Sequence, residues 1–295
     1  MSATNDEASV TTHAIPTVHG RIHASDRPGE DPTFVLMHGF PDDSRIYDRL
    51  APLLSPRRVV AFDFVGYGRS ERPKPGAFKS GHHEDELGAV LDAFELEHVN
   101  LVAHDASGPV AIDYAVDRPQ RVGRLILFNT YYGHTPSLRF PEMIRLFADQ
   151  NFAPLADAMI DDPNQRLWLL WHTARRFGID PLDQGGIGAV SIVPQFFGDA
   201  DTPDALPAIR AWTEALFADL DHQDQQISAG HLAALDVPVT LLFGARDDYL
   251  SPDLARHLAG LFARADLQLV EDASHWPQWD QPEIVSSALR TTTTE

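Results

Sequence analysis

The chain of 295 residues contains no cysteine, which removes disulfides, thiolate nucleophiles and thiolate metal ligands at once. That absence assigns no compartment. Nor does any stretch approach the roughly 18 uninterrupted apolar residues of a membrane span. The opening residues MSATNDEASVTT lack the basic and then apolar pattern of a secretion signal, so a soluble, cytoplasmic protein is expected. Basic residues are scarce: 23 Lys and Arg stand against 43 Asp and Glu, for a formal net charge of −20. Binding of nucleic acid or of an anionic membrane surface requires a concentrated basic patch, and this balance argues against both. A small apolar to moderately polar molecule is the expected partner of a monomer or homodimer. No internal repeat is visible.

Short apolar runs recur instead: FVLM (34–37), VVAFDF (59–64), VNLVA (99–103), RLILF (124–128), VTLLF (239–243) and LQLV (267–270). Bounded by turn residues and separated by helix-length stretches, they predict an α/β fold with a mostly parallel, buried sheet flanked by helices. Residues 13–24 predict an antiparallel edge hairpin. The interval between Phe128 and Val239 far exceeds a single crossover and is rich in Trp, Phe, Leu and Pro. It is expected to form a helical cap over residues 136–232, inserted into a core domain of residues 13–135 and 233–291. Residues 1–12 and 292–295 are expected to be mobile tails.

The segment LVAHDASG (101–108) follows the VNLVA strand and precedes the helix-forming GPVAIDYAVD. It has the small-x-nucleophile-x-small form of a strand-to-helix nucleophile turn, with Asp105 where serine or cysteine is usual. A carboxylate with a reference pKa of about 3.9 is ionised near neutral pH and attacks carbon without a base to deprotonate it first. Attack on an ester carbonyl would give only an unstable anhydride, so saturated carbon in an epoxide or alkyl halide is the natural target. By itself, Asp105 also suits an ordinary helix cap. Other residues decide between the two. His38, Gly39, Phe40 and Pro41 follow the FVLM strand, which assigns an oxyanion hole to the N–H groups of Phe40 and Ala106. Asp247 follows the VTLLF strand in GARDDYLSP, and His275 follows LQLV in EDASHWPQW. Nucleophile, acid and histidine, each after a successive strand, form a catalytic-triad order. Counting G-x-x-D from Gly244 selects Asp247, leaving Asp248 as a loop carboxylate. The loop DFVGYGRSERP (63–73) is assigned a structural role.

On these motifs the chain resembles the α/β-hydrolase superfamily, whose fold has an eight-stranded, mostly parallel sheet with an inserted helical cap. HGFP, HDASG and HW are similar to the aspartate-nucleophile branch of epoxide hydrolases and haloalkane dehalogenases. The resemblance implies an alkyl-enzyme ester on Asp105 that water activated by His275 hydrolyses, with no cofactor and no metal. Two features depart from the branch. Ala106 stands where a tryptophan usually donates to halide, and Phe40 stands where dehalogenases often place a second donor, which favours an epoxide over a halide. Fluoroacetate dehalogenases carry arginines near the nucleophile, and HDASGP has none. Epoxide hydrolases also use cap tyrosines to protonate the leaving oxygen, yet no tyrosine occurs between Gly133 and Asp248. Tyr131 and Tyr132 at the cap's root, or His172 in WLLWH, are substitute donors. His38, Trp168, Trp171 and Trp276 complete the expected substrate-binding set, with Phe196, Phe197 and Trp212 as further aromatic residues of the cap. Helix packing is the competing explanation for Trp168, Trp171 and His172. His82, His83, His222 and His231 lack metal-ligand spacing. A non-catalytic ligand-binding protein of the same fold is the alternative from another class.

Overall fold

The computed structural model describes residues 10–72, 82–181 and 183–291. Eight strands form one sheet: β1 (Thr11–Pro16), β2 (Arg21–Arg27), β3 (Glu30–Met37), β4 (Arg57–Asp63), β5 (Val99–Asp105), β6 (Val122–Thr130), β7 (Val239–Gly244) and β8 (Ala265–Val270). Their order across the sheet is β1-β2-β4-β3-β5-β6-β7-β8. The β1-β2 and β2-β4 pairs are antiparallel and all the others parallel. This is the α/β-hydrolase fold. The apolar runs lie where the sheet is covered on both faces: β5 and β7 are buried almost throughout, whereas edge strand β8 alternates between buried or half-buried and exposed. The edge hairpin extends beyond its expected limits, with Thr11 and Thr12 paired to Asp26 and Ser25. Those two residues therefore belong to the sheet and not to the N-terminal tail. Residues 1–9 and 292–295, expected as tails, and Pro73 of the glycine-punctuated loop lie outside the described residues.

Helices α1 (His83–Ala93) and α2 (Ser107–Asp117) precede the long β6-β7 interval. That interval holds α3 (Glu142–Ala148), α4 (Ala153–Asp161), α5 (Pro163–Arg176), α6 (Val193–Phe197), α7 (Leu206–Ser228) and α8 (His231–Ala234). After β7 come α9 (Pro252–Ala259), α10 (Pro277–Asp280) and α11 (Pro282–Thr291). Local chemistry starts several of them. Asp162 caps α5 by accepting from the Asn164 and Gln165 N–H groups, and Pro163 occupies the first turn, where no backbone donor is needed. Ser251 and Pro252 repeat the device at α9. No described helix is long and apolar enough to cross a membrane.

The topology locates the site. From β3 the chain moves to β4 on one side, then crosses back over β3 to form β5 on its other side. Connections leaving β3 and β5 therefore diverge, opening a crevice at the carboxyl ends of these strands. Phe40 and Asp105 stand there.

Two glycines test this packing. A Cβ on Gly244, at the end of β7, would collide with the Ser274 backbone. Gly244→Ala is expected to destabilise the protein by about 1–3 kcal/mol in urea denaturation. Gly88 is in mid-helix in α1, where a Cβ would meet only the Tyr114 ring at 3.9 Å, an ordinary contact. Gly88→Ala is therefore expected to stabilise by about 0.5–1 kcal/mol.

Candidate active site

Asp105 ends β5 with φ of +50°, in the left-handed region that costs a residue other than glycine roughly 1–3 kcal/mol. Its surroundings impose that geometry. The Thr130 hydroxyl donates to the Asp105 carbonyl at 2.5 Å, and the Ser107 hydroxyl donates to the carbonyls of His104 and Met37. Only glycine fits alongside: a Cβ at Gly39 would lie 2.6 Å from His104 Nδ1 and 2.7 Å from Asp105 Cβ, and one at Gly108 would overlap Thr130. The turn directs the Asp105 carboxylate toward the chain that follows β3. There the Phe40 N–H donates to its Oδ2 at 3.0 Å, and the Ala106 N–H is a second backbone donor.

His275 approaches from the loop after β8. Its Nδ1 donates to Asp247 Oδ2 at 2.6 Å, and its Nε2 lies 3.9 Å from Asp105 Oδ1, beyond a hydrogen bond. Asp247 is a saturated acceptor. Its Oδ1 takes the Tyr249 and Leu250 N–H groups, and its Oδ2 also takes Asn129 Nδ2 at 2.9 Å. Asp248 is exposed and lines a neighbouring polar cleft, so the geometry selects Asp247 as the partner of His275. Asn129 was not anticipated, because a lone asparagine at a strand end carries no signal. Its amide joins β6 to β7: Oδ1 accepts from the Gly244 N–H at 2.7 Å while Nδ2 holds Asp247. Asp42 was missed as well. It is fully buried and accepts from Trp276 Nε1 at 3.1 Å, which fixes the indole beside the His275 ring.

Asp105 and His275 face a largely apolar chamber, in which about 80 Å³ is open to the centre of a water molecule. Phe40, Ala106, Tyr131, Trp212 and Trp276 share its wall. Burial pushes the Asp105 carboxyl above its ordinary value, with His275, His104 and the two backbone N–H groups opposing the rise. Burial alone would lower His275. The charge and hydrogen bond of Asp247, with Asp105 and Asp42 adding, instead push it up to about 9. Asp247 itself is held below the usual carboxylate value: burial acts upward, but His275 and its other donors outweigh it.

Five residues expected to contact substrate do not line this chamber. His38 is fully buried away from the chamber, its Nδ1 donating to the Gly39 carbonyl and its Nε2 accepting from the Phe64 N–H, so it ties β3 to β4. Tyr131 and Tyr132 both lie just beyond the end of β6, but Tyr132 does not line the chamber and donates instead to Asp113 of α2. On α5 the face bearing Leu169, Leu170, Thr173 and Ala174 is buried. Trp168 and His172 therefore stack on each other outside, with Trp168 59% exposed, and Trp171 is half-buried without reaching the chamber. Phe196 is packed in the core and Phe197 is half-buried under Arg166.

Residues 32–282 match the alpha/beta hydrolase fold family. The chain belongs to the α/β-hydrolase family. Among its relatives, an uncharacterized protein of Mycobacterium tuberculosis is 27% identical over 286 residues, covering 94% of this chain and 80% of the relative. Haloalkane dehalogenase 2 of the same organism is 32% identical over 130 residues, 44% of this chain and 45% of that protein. The solved structure of epoxide hydrolase CorEH superposes with a TM-score of 0.74 at 20% identity, covering 96% of this chain and 98% of that one. At that identity the likeness is one of fold.

The raised value of His275 makes this α/β-hydrolase's stability depend on pH. The contribution is complete below the unfolded histidine value near 6.5 and disappears as pH rises through about 9. Wild type is expected to lose on the order of 3 kcal/mol between these limits relative to His275→Gln, read from urea denaturation across the range. The contribution of Asp247 runs in the opposite sense: present above the ordinary carboxylate range, it is lost as pH falls through the lowered native value.

Proposed function

We propose that this α/β-hydrolase opens an epoxide to a diol through a covalent ester on Asp105. The observation that carries the reading is a carboxylate at the nucleophile turn facing an apolar chamber, with one oxygen held by the Phe40 N–H and the other unbonded 3.9 Å from His275. In the first step, Asp105 Oδ1 attacks an epoxide carbon, the carbon–oxygen bond breaks, and the leaving oxygen takes a proton. Tyr131 supplies it. Of the three donors considered from sequence, Tyr132 is committed to Asp113 and His172 lies outside, whereas Tyr131 lines the chamber. Burial and the nearby Asp105 raise the Tyr131 phenol well above its usual value, so it rests protonated. Tyr249 also lines the chamber, but its hydroxyl donates to Glu142.

The second step hydrolyses the ester. Forming it erases the Asp105 charge, one of the influences that keep His275 protonated. His275 then loses its proton more readily, and that proton restores the Tyr131 phenol; the neutral imidazole next takes a proton from water as the oxygen attacks the Asp105 carboxyl carbon. Charge accumulates on Oδ2, which already accepts from the Phe40 N–H, with the Ala106 N–H as a second backbone donor to the carboxyl. The diol departs and Asp105 returns ionised. Asp247, anchored by Asn129 and two backbone N–H groups, keeps the imidazole aimed throughout.

Halide displacement on the same residues is the second reading, favoured by the similarity to haloalkane dehalogenase 2. Its weakness is the donor set: the Trp276 indole N–H is engaged by Asp42, and Ala106 offers no side-chain donor. The products separate the two, since an epoxide panel yields diols and a haloalkane panel yields free halide. His275→Gln is expected still to form the ester but to hydrolyse it at least 100-fold more slowly, so that intact-mass spectrometry shows substrate bound to Asp105. No adduct from either panel would defeat the proposal and leave a ligand-binding role. In wild type, the hydrolytic step is expected to slow as pH falls and His275 in the ester becomes protonated. Alkylation is expected to slow only where Asp105 itself takes up a proton.

A further inference from the structure

The chamber carries one permanent cation among its described lining residues, Arg139. It lies in the loop between β6 and α3, next to Phe140, whose ring packs edge-on against Tyr131 at 5.2 Å. Arg139 is exposed, whereas the side chains of Asp105 and His275 are only 15% and 4% exposed. Arg139 therefore stands at the solvent end of the chamber, and the Asp105 and His275 side chains mark its floor.

Arg27, Arg69, Arg145 and Arg175 have no ion pair to a described residue, but with 43 acidic residues to 23 basic ones many arginines of this protein find a carboxylate. Arg45, Arg58, Arg121 and Arg210, for example, each lie within 3.0 Å of one. Arg139 has neither an ion pair nor a hydrogen bond to any described residue. Its five N–H donors remain available at the rim of a largely apolar pocket.

We propose that Arg139 binds an anionic group, a carboxylate, at the end of the substrate remote from the reacting carbon. The preferred substrate is then an amphiphile with an apolar body in the chamber and an acid terminus at its mouth. The inference deepens the reading of this chamber as a substrate pocket and rests on it. Charge also sets the orientation. Inserted the other way, the acid would face the Asp105 carboxylate in a dry environment and be repelled, so attraction at the rim and repulsion at the floor select one direction of entry. A guanidinium suits this role because its fork takes a carboxylate through two parallel N–H bonds.

Binding tests the inference independently of turnover. In calorimetry at about 0.15 M salt, octanoate is expected to bind at least tenfold more tightly than octanamide. Arg139→Gln is expected to abolish that preference while leaving octanamide affinity within twofold, and Arg139→Lys to retain part of it. Equal binding of the two probes to wild type, a preference that survives Arg139→Gln, or no detectable octanoate binding would overturn the proposal. Turnover of neutral epoxides reports separately on the chemistry. A calorimetric preference in a protein that opens no epoxide supports the carboxylate site and rejects the hydrolytic reading. Normal turnover of neutral epoxides without any preference does the reverse.

Discussion

A negative charge in an apolar chamber is costly, and the arrangement of this molecule follows from tolerating one at Asp105. Desolvation works to protonate that carboxyl, which in the proposed cycle would leave it a poor nucleophile. Two backbone N–H groups and the His275 imidazolium oppose it without adding a side-chain hydrogen bond to the attacking oxygen. Backbone donors suit this task because they are fixed by the fold and cannot swing away. They also need no rearrangement when the charge moves from a carboxylate to a tetrahedral oxyanion. The left-handed turn at Asp105 and the lack of space for a Cβ at Gly39 and Gly108 accompany the close approach of those donors to the carboxyl.

The imidazole meets a similar demand from the other side. Asp247 holds four donors, two of them backbone N–H groups of its own turn, and so remains ionised despite burial. Its charge then keeps His275 protonated in the resting state. In the proposed cycle this protonation is useful: the imidazolium lowers the cost of the nucleophile's charge before alkylation, and loss of that charge releases the imidazole to act as a base. Each titratable group thus sets the protonation state that the other needs.

Much of the fold was legible because a strand buried on both faces must be written as a continuous apolar run, and FVLM, VNLVA and VTLLF are such runs. Asp105 and Asp247 could be located since each stands at or just after one of these strands, and His275 since it follows the edge strand LQLV by a short loop. Direction was harder to read. Tyr131 and Tyr132 are adjacent just beyond the end of β6, and only the path of the chain there decides that one lines the chamber while the other reaches Asp113. On α5, the WLLWH motif presented two tryptophans as pocket candidates, but the helix buries Leu169 and Leu170 and leaves Trp168 outside. His38, read as a site residue from its neighbours in HGFP, serves to join β3 to β4 through its ring nitrogens. Asn129 and Asp42 escaped notice for a further reason: each supports a distant residue, and nothing in the local sequence records a contact made across more than 100 positions.

Arg139 belongs with these long-range cases, and what singles it out among the arginines without a partner is its place in the lining of the chamber. A basic side chain in an acidic protein is ordinarily neutralised within the fold, and an exposed ion pair contributes little either way. An uncommitted guanidinium therefore costs almost nothing in stability and keeps its full charge available to a ligand. Beside a hydrated surface that availability would have little consequence. At the rim of a largely apolar chamber, nearby low-dielectric walls concentrate the field of the cation, and the carboxylate at the floor supplies the opposing sign. The pocket consequently has a polarity along its length as well as a shape, and the polarity constrains which end of an asymmetric molecule meets Asp105.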